Sequence, residues 1–235
     1  MSHEATIHPV QTHILRHLLF TPGASYSQLQ KQTGLDSDHF KFHSGRLVEL
    51  GFIEKQDRNY SLTPKGKEYA NKLDTDNNTI ERQPKTAVLL GVEKTIDGVQ
   101  HFLFQERLKH PYFGYWGIMG GKIRWGETIL EGAARELMEE TGLIAKLRYV
   151  GVYHEHTFQY ESGELLEDKI FHLVHCTEPE GELIEEFEGG RNVWMSVEAA
   201  RALKKRFDSF DTELDMILEN TSFVERQTFY SKDEF

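Results

Sequence analysis

From Gly121 to Leu143 the chain reads GKIRWGETILEGAARELMEETGL, and no other stretch restricts it so tightly. Residues three and four apart share one face of a helix, so Glu136, Glu139 and Glu140 converge on one side. Three carboxylates that close repel one another unless cations neutralise them, and hard oxygen donors suit Mg²⁺ or Mn²⁺. Arg135 stands four residues before Glu139 and is placed to pair with it and orient it. On the other side Ile129, Ala133, Leu137 and Thr141 form an apolar stripe that seats the helix against a sheet. The spacing therefore predicts a helix over 128–141, ended by Gly142 in a left-handed conformation. Gly120 and Gly121 are expected to turn the backbone sharply before this helix and to expose a carbonyl to a metal. A solvated glutamate-rich helix would account for RELMEE alone. It does not account for the glycines, Glu127 and Gly142 falling in register with it.

The stretch satisfies Gx5Ex7REUxEExGU, with U a bulky aliphatic residue, at all nine fixed positions across 23 residues. In this the chain resembles the Nudix hydrolases, over about residues 84–207. The resemblance implies an α/β/α sandwich with a mixed sheet. It also implies metal-assisted attack of water on a phosphorus within a diphosphate, releasing a nucleoside monophosphate or pyrophosphate. Carried onto this sequence, it implies catalytic roles for Arg135, Glu136, Glu139 and Glu140. Metal would be held by Glu136, Glu139 and Glu140, with the Gly120 carbonyl and the outlying Glu127, the latter structural or water-mediated. The general base varies within the family. Candidates are Glu139 and Glu140, and Glu185, Glu186 or Glu188 in GELIEEFEGG, a run that reads equally well as a solvated charge cluster.

Substrate selection is expected from outside the motif. Arg107, Lys109, Lys122 and Arg124 are candidates to meet phosphates, and Phe113, Tyr115 and Trp116 offer rings for a base, although Trp116 suits a core better. Met119 stands where many Nudix relatives have proline, which leaves the rigidity of the loop open. His154 and His156 lie two apart on one strand face and, with no evident third ligand, read as partly exposed strand residues.

The surrounding pattern is of strands and two helices. TAVLLGVEK and HFLFQER are strands joined by the turn TIDG, WGIMGGKI is a short strand, and LRYVGVYHEHTF and DKIFHLVHC are two more. SVEAARALKKR opens on a serine cap and is predicted helical. This makes an α/β or α+β domain over 85–207, followed by a helical tail over 208–235 centred on Leu214, Ile217 and Leu218.

Residues 1–75 form a different unit, joined by a polar linker at 76–84. Ile14, Leu15, Leu18 and Leu19 recur at helical spacing, TPGAS breaks the chain, and a short helix follows from Tyr26 to Gln32 around Leu29. Asp36 or Ser37 caps a third helix through Phe40, Phe42, Leu47 and Leu50 that stops at Gly51. FIEK and YSL are short strands about the turn QDRN, and TPKGKEYANKL begins a fourth helix with proline at its start. This order, and LVELGFIEK…YSLTPKGKEYA in particular, resembles the winged helix-turn-helix domains of MarR-like and ArsR-like regulators. The resemblance implies double-stranded DNA contacts by His39, Lys41, His43 and Arg46 on the third helix and by Arg58 on the wing. Such modules also serve dimerisation and protein binding.

Charge bears on that choice. Residues 1–83 carry ten Lys or Arg against ten Asp or Glu, so the whole formal charge of −11 falls on the remainder. General nucleic-acid binding by residues 84–235 is thereby disfavoured, whereas polyphosphate binding through metal is not. With 38% hydrophobic and 28% charged residues and no apolar run of membrane-spanning length, a membrane role is not expected. MSHEATIHPVQTH has no secretory pattern, so a cytoplasmic location is expected. Cys176, alone, reads as a buried strand residue. Isopentenyl diphosphate isomerase shares the fold but needs a cysteine in a different motif, and Cys176 stands in no such context. Two functions remain: a Nudix pyrophosphohydrolase acting on ADP-ribose, nucleotide sugars or (d)NTPs, and a transcription regulator sensing such a nucleotide metabolite. A homodimer suits either.

Overall fold

In the computed structural model, which describes residues 7–73 and 82–234, two helix starts near the N-terminus are fixed by reciprocal capping. The first is α1 (Pro9–Phe20), where His8 and Gln11 satisfy each other's backbone N–H groups. A two-residue strand β1 (Ala24–Ser25) leads to α2 (Tyr26–Thr33), capped in the same way by Ser25 and Gln28. Then follow α3 (Ser37–Glu49), capped by Asp36, the hairpin β2 (Ile53–Gln56) and β3 (Asn59–Leu62), and α4 (Pro64–Ala70). The three strands form an antiparallel sheet in the order β1-β3-β2. Ile14, Leu15, Leu18, Leu29, Phe40 and Leu47 close a core over it. TPGAS, read as a plain break, thus supplies a short edge strand. Phe42 is 69% exposed, because Phe40, Ser44 and Leu47 take the inward face of α3 and leave it outside.

The second compact unit runs from Gln83 to Phe235. Its elements are β4 (Lys85–Ile96), β5 (Val99–Arg107), β6 (Trp116–Lys122), α5 (Ile129–Thr141), β7 (Leu143–Gln159) and β8 (Leu165–Gly181). They are followed by β9 (Glu186–Phe187), β10 (Gly190–Ser196), α6 (Val197–Arg201), α7 (Phe210–Glu219) and β11 (Phe223–Tyr230). The strands make one sheet in the order β11-β7-β8-β4-β6-β5-β10-β9. The sheet is mixed: β4 and β8 run parallel, as do β7 and β11, and the other neighbours are antiparallel.

Alternation along β4 shows how the layers stack. Val88, Leu90 and Val92 face a core with Ala133 and Leu137 of α5, while Leu89 faces a second core with Phe210, Leu214 and Ile217 of α7. Helices therefore cover both faces, the arrangement that the resemblance implies. The tail departs from the sequence reading. After α7 it becomes β11, whose alternating VERQTFY pairs in register along β7, so residues 208–235 are helix and then strand. The linker expected at 76–84 lies mostly outside the described residues. Among the described residues no helix is long and apolar enough to cross a membrane.

Candidate active site

Helix α5 begins where Thr128 accepts from the Glu131 N–H and Glu131 accepts from the Thr128 N–H at 2.8 Å. Its last turn closes on Gly142, in the left-handed conformation at φ 71°. Ala133, Leu137 and Thr141 are buried, which turns Glu136, Glu139 and Glu140 away from the stripe they form. The carboxylates are organised by Arg135. Its Nε donates to Glu127 at 2.6 Å and one amino group reaches Glu136 at 2.7 Å and Glu139 at 3.1 Å. The other amino group donates to Glu127 at 2.9 Å and to the Lys122 carbonyl at 3.0 Å. These bonds push the Arg135 pKa upward and hold Glu127 down at about 2, the Arg135 hydrogen bond being the largest cause. The pairing of Arg135 with Glu139 is thus one contact among several, and the fork on Glu127 is the more extensive one.

Glu140 lies apart from that fork. Its carboxylate accepts from the Gln105 side chain at 2.9 Å, and Asn192 donates to its backbone carbonyl at 2.8 Å. Burial raises its pKa, the Gln105 bond opposes the rise, and the Glu136 charge adds to it. A raised carboxylate beside another carboxylate is the electrostatic condition that a bound cation relieves.

The glycine pair has a different cause from the one expected. Gly120 and Gly121 lie within β6 at extended geometry, and the turn is made farther on, at Gly126 with φ 89°. A Cβ on Gly120 would fall 2.4 Å from the Val88 carbonyl oxygen, and one on Gly121 would fall 2.0 Å from the Glu136 carboxyl carbon. The pair is required for close approach, and at Gly121 the space is filled by the carboxylate itself. A set of four carboxylates, with Glu136 packed where a Gly121 side chain would otherwise stand, fits a divalent cation. Met119 is fully buried and pairs with Leu90, so strand packing fixes the segment before the loop.

Beside this cluster is a cavity of about 330 Å³ on the α7 face of the sheet. Gly120, Gly121 and Lys122 line it, as does Gln105, so the cavity and the carboxylate cluster share a wall. Its other polar walls include Lys85, Arg107, Tyr112, Glu155, Glu167, Lys169 and Glu213. Glu167 accepts from Lys85 at 3.1 Å and pairs with Lys169; burial would raise its pKa, yet these two cations hold it below the usual range. Glu155 accepts from Tyr153 at 2.9 Å and from Thr157 at 3.2 Å. Glu213 is pushed up to about 8 by burial and by the Glu155 charge, so at neutral pH it carries a proton that it can donate.

The sequence-derived substrate residues separate here. Arg107 and Lys122 line the cavity, and Arg107 also donates to the Pro111 and His110 carbonyls that shape the following loop. Arg124 does not line it: one amino group of its guanidinium donates to both Glu139 carboxylate oxygens, at 3.1 and 3.0 Å. Tyr115 does not line it either. Its ring is buried with Tyr112, Phe207 and Tyr230 and its hydroxyl donates to Glu234 at 2.7 Å, because β11 and the chain after it cover that face. Phe113 is exposed, and Trp116 is half-buried with Arg191 over its ring at 5.5 Å. Trp125, passed over in the sequence, is fully exposed in the loop before α5. Glu185, Glu186 and Glu188 are exposed along the β9 edge and do not line the cavity. Cys176 is buried, its thiol pushed up to about 12 by burial, which removes it as a nucleophile.

In the first unit Lys41 and Arg46 are exposed on α3 and Arg58 at the hairpin tip, and Arg46 pairs with Glu49 at 3.0 Å. His39 is exposed and bonds Asp36 at 2.6 Å. His43 departs from that set. It is half-buried, with its ring 4.6 Å from that of His8, because it borders the inward stripe of α3.

A family model for the NUDIX domain matches residues 86–215. The ADP-ribose pyrophosphatase of Methanocaldococcus jannaschii is 30% identical over 95 residues, 40% of this chain and 56% of that protein. The oxidized purine nucleoside triphosphate hydrolase of Mus musculus is 44% identical over 73 residues, 29% of this chain and 45% of that protein. The chain thus spans about half the length of these curated relatives. Among solved structures, the NUDIX domain of Shewanella oneidensis NrtR complexed with ADP ribose superposes with a TM-score of 0.50 at 17% identity, over 65% of this chain and 94% of that one. At that identity the likeness speaks for the fold alone.

Proposed function

Because the chain belongs to the NUDIX domain family, we propose that it hydrolyses a diphosphate linkage in a nucleoside diphosphate-linked substrate, with ADP-ribose the first candidate. The observation that carries this is the Arg135-centred cluster of Glu127, Glu136 and Glu139, with Glu140 beside it, sharing a wall with a cavity of ligand size. Glu136, Glu139 and Glu140 would hold Mg²⁺ or Mn²⁺, supported by Glu127 and the Gly120 carbonyl. When bound, the metal neutralises phosphate charge and lowers the pKa of the attacking water.

The protein's own groups do the rest. Arg135 fixes three carboxylates before any ligand arrives, so their mutual repulsion is already met. Gln105 holds Glu140 against the cavity wall. Lys122, Arg107, Lys85 and Lys169 are the cations lining that space, the last two paired with Glu167, and Lys122 lies nearest in sequence to the glycine pair. The carboxyl groups of Glu155 and Glu213 offer an acceptor and a protonated donor to the remainder of the ligand. The names of the two curated relatives support a nucleotide substrate.

The test is a panel of ADP-ribose, NAD-type dinucleotides, nucleotide sugars and dNTPs with Mg²⁺ or Mn²⁺, comparing Glu139→Gln. Turnover of at least one member, lost in the variant, is expected. Absence of turnover across the panel, or turnover unchanged by the substitution, would refute the proposal.

A second reading rests on the first unit. Its helix order and three-stranded sheet support a winged helix-turn-helix, and exposed Lys41, Arg46 and Arg58 support contact with double-stranded DNA. On this reading a cytoplasmic homodimer couples metabolite binding to DNA affinity. A salt-sensitive mobility shift on the gene's upstream DNA, altered by ADP-ribose, is the expected result. No shift at low salt would leave the unit an interaction module.

A further inference from the structure

His154, His156 and Asp168 lie on the sheet face opposite the cavity. Tyr153, Glu155 and Thr157 of β7 turn inward, so His154 and His156 share the outer face of the same strand. Across the β7–β8 ladder Asp168 is directly opposite His156. One carboxylate therefore meets two imidazoles. Asp168 Oδ1 is 2.9 Å from His154 Nε2, and Asp168 Oδ2 is 3.6 Å from His156 Nε2. All three residues offer a ligand atom within 4.8 Å of the other two.

A tetrahedral zinc with ligands at about 2.0–2.1 Å sets its donor atoms roughly 3.3 Å apart. The two His–Asp distances bracket that value and the remaining His154–His156 separation lies within 4.8 Å, so the donor set is close to zinc geometry. We propose that His154, His156 and Asp168 form a transition-metal site of the Zn²⁺ class that staples β7 to β8 behind the cavity.

Three further features favour a site over an ordinary ion pair. First, the 3.6 Å separation of His156 from Asp168 is too long for a hydrogen bond, so the carboxylate does not explain the position of the second imidazole. The two rings nonetheless stand edge to face with centroids 4.4 Å apart. Second, Glu225 of β11, in register with His154, bonds His154 Nδ1 at 2.8 Å. His154 thus stands between two carboxylates, Glu225 at Nδ1 and Asp168 at Nε2; with a metal in place of the Nε2 proton, Glu225 would back the ligand as carboxylates usually back metal-bound histidines. Third, the side chains are 21%, 29% and 32% exposed, enough to admit an ion and leave a fourth position open. Two imidazoles and one carboxylate select a borderline ion such as Zn²⁺, whereas the all-oxygen cluster on α5 suits Mg²⁺. The chain would thus hold two chemically distinct cations on the α5 side of one sheet, one at the helix and one on the β7–β8 ladder.

The test is calorimetric titration of Zn²⁺ into the full-length protein in excess Mg²⁺, with wild type beside His156→Ala, Asp168→Asn and Glu225→Gln. Wild type is expected to take up one more Zn²⁺ than the first two variants. Glu225→Gln should keep the stoichiometry and bind about 10–100-fold more weakly, as loss of a ligand's hydrogen-bond partner does. Equal zinc stoichiometry in wild type and His156→Ala overturns the site, as does no binding by wild type. Should a variant fail to fold, imidazole ¹⁵N shifts in wild type decide the matter. Those of His154 and His156 should both move on Zn²⁺ addition and stay fixed on Mg²⁺ addition, and unmoved shifts with Zn²⁺ overturn the proposal.

Discussion

At Gly121 the difference between a working and a broken site is one carbon atom. A Cβ there would lie 2.0 Å from the Glu136 carboxyl carbon, so Gly121→Ala must displace that carboxylate. A displacement of that size is expected to lower turnover by about 10²-fold while the far-ultraviolet circular dichroism stays native. Glu213 permits a second test, on stability. Its folded pKa of about 8 lies above the ordinary 4.5, so its neutral form favours folding below pH 4.5 and that contribution is lost as pH rises toward 8. Glu213→Gln should flatten this part of the curve: the midpoint of thermal unfolding should fall less between pH 5 and pH 9 than in wild type, and an identical fall would remove the assignment. The carboxylates of α5 were legible in the sequence because one helix carries them, and helical spacing alone converges them. Glu155, Glu167 and Glu213 were not, because β7, β8 and α7 bring them together only in the folded sheet. Their trace in the sequence was a glutamate at an inward position, as at Glu213 beside Leu214 and Ile217 in the stripe of α7.

Among elements, α5 shows how local signals decide a boundary. The Thr128–Glu131 capping box and Gly142 set both ends where the sequence placed them. Thr128→Ala should therefore destabilise the second unit by about 1 kcal/mol, read from chemical denaturation. β1 and β11 carried no such signal. β1 has two residues, and the alternation of β11 carries no end signal, its extent being set by parallel pairing with β7, reached through α7. Tyr115 was misplaced for the same reason, since the aromatic cluster that buries it includes Tyr230 of β11. Ending the chain after Glu219 should accordingly expose Tyr112 and Tyr115, lower the midpoint of unfolding and abolish turnover. A truncated protein with native stability would show that β11 does not support the cavity.

For the whole molecule, the chain divides into Met1–Arg82 and Gln83–Phe235, and the formal charge follows that division, neutral in the first unit and acidic in the second. If catalysis belongs to the second unit alone, residues 83–235 should retain kcat/KM within about tenfold, or 1.4 kcal/mol, of the full chain. In the proposed function, water attacks phosphorus under control of the α5 carboxylates. The most direct test is turnover of ADP-ribose with Mg²⁺ in ¹⁸O-labelled water, followed by mass spectrometry of the products, in wild type and Glu139→Gln. One ¹⁸O in a phosphate group of one product, with at least ~100-fold slower release in the variant, is the expected outcome. Unlabelled phosphate groups, or equal rates in the two proteins, would contradict it.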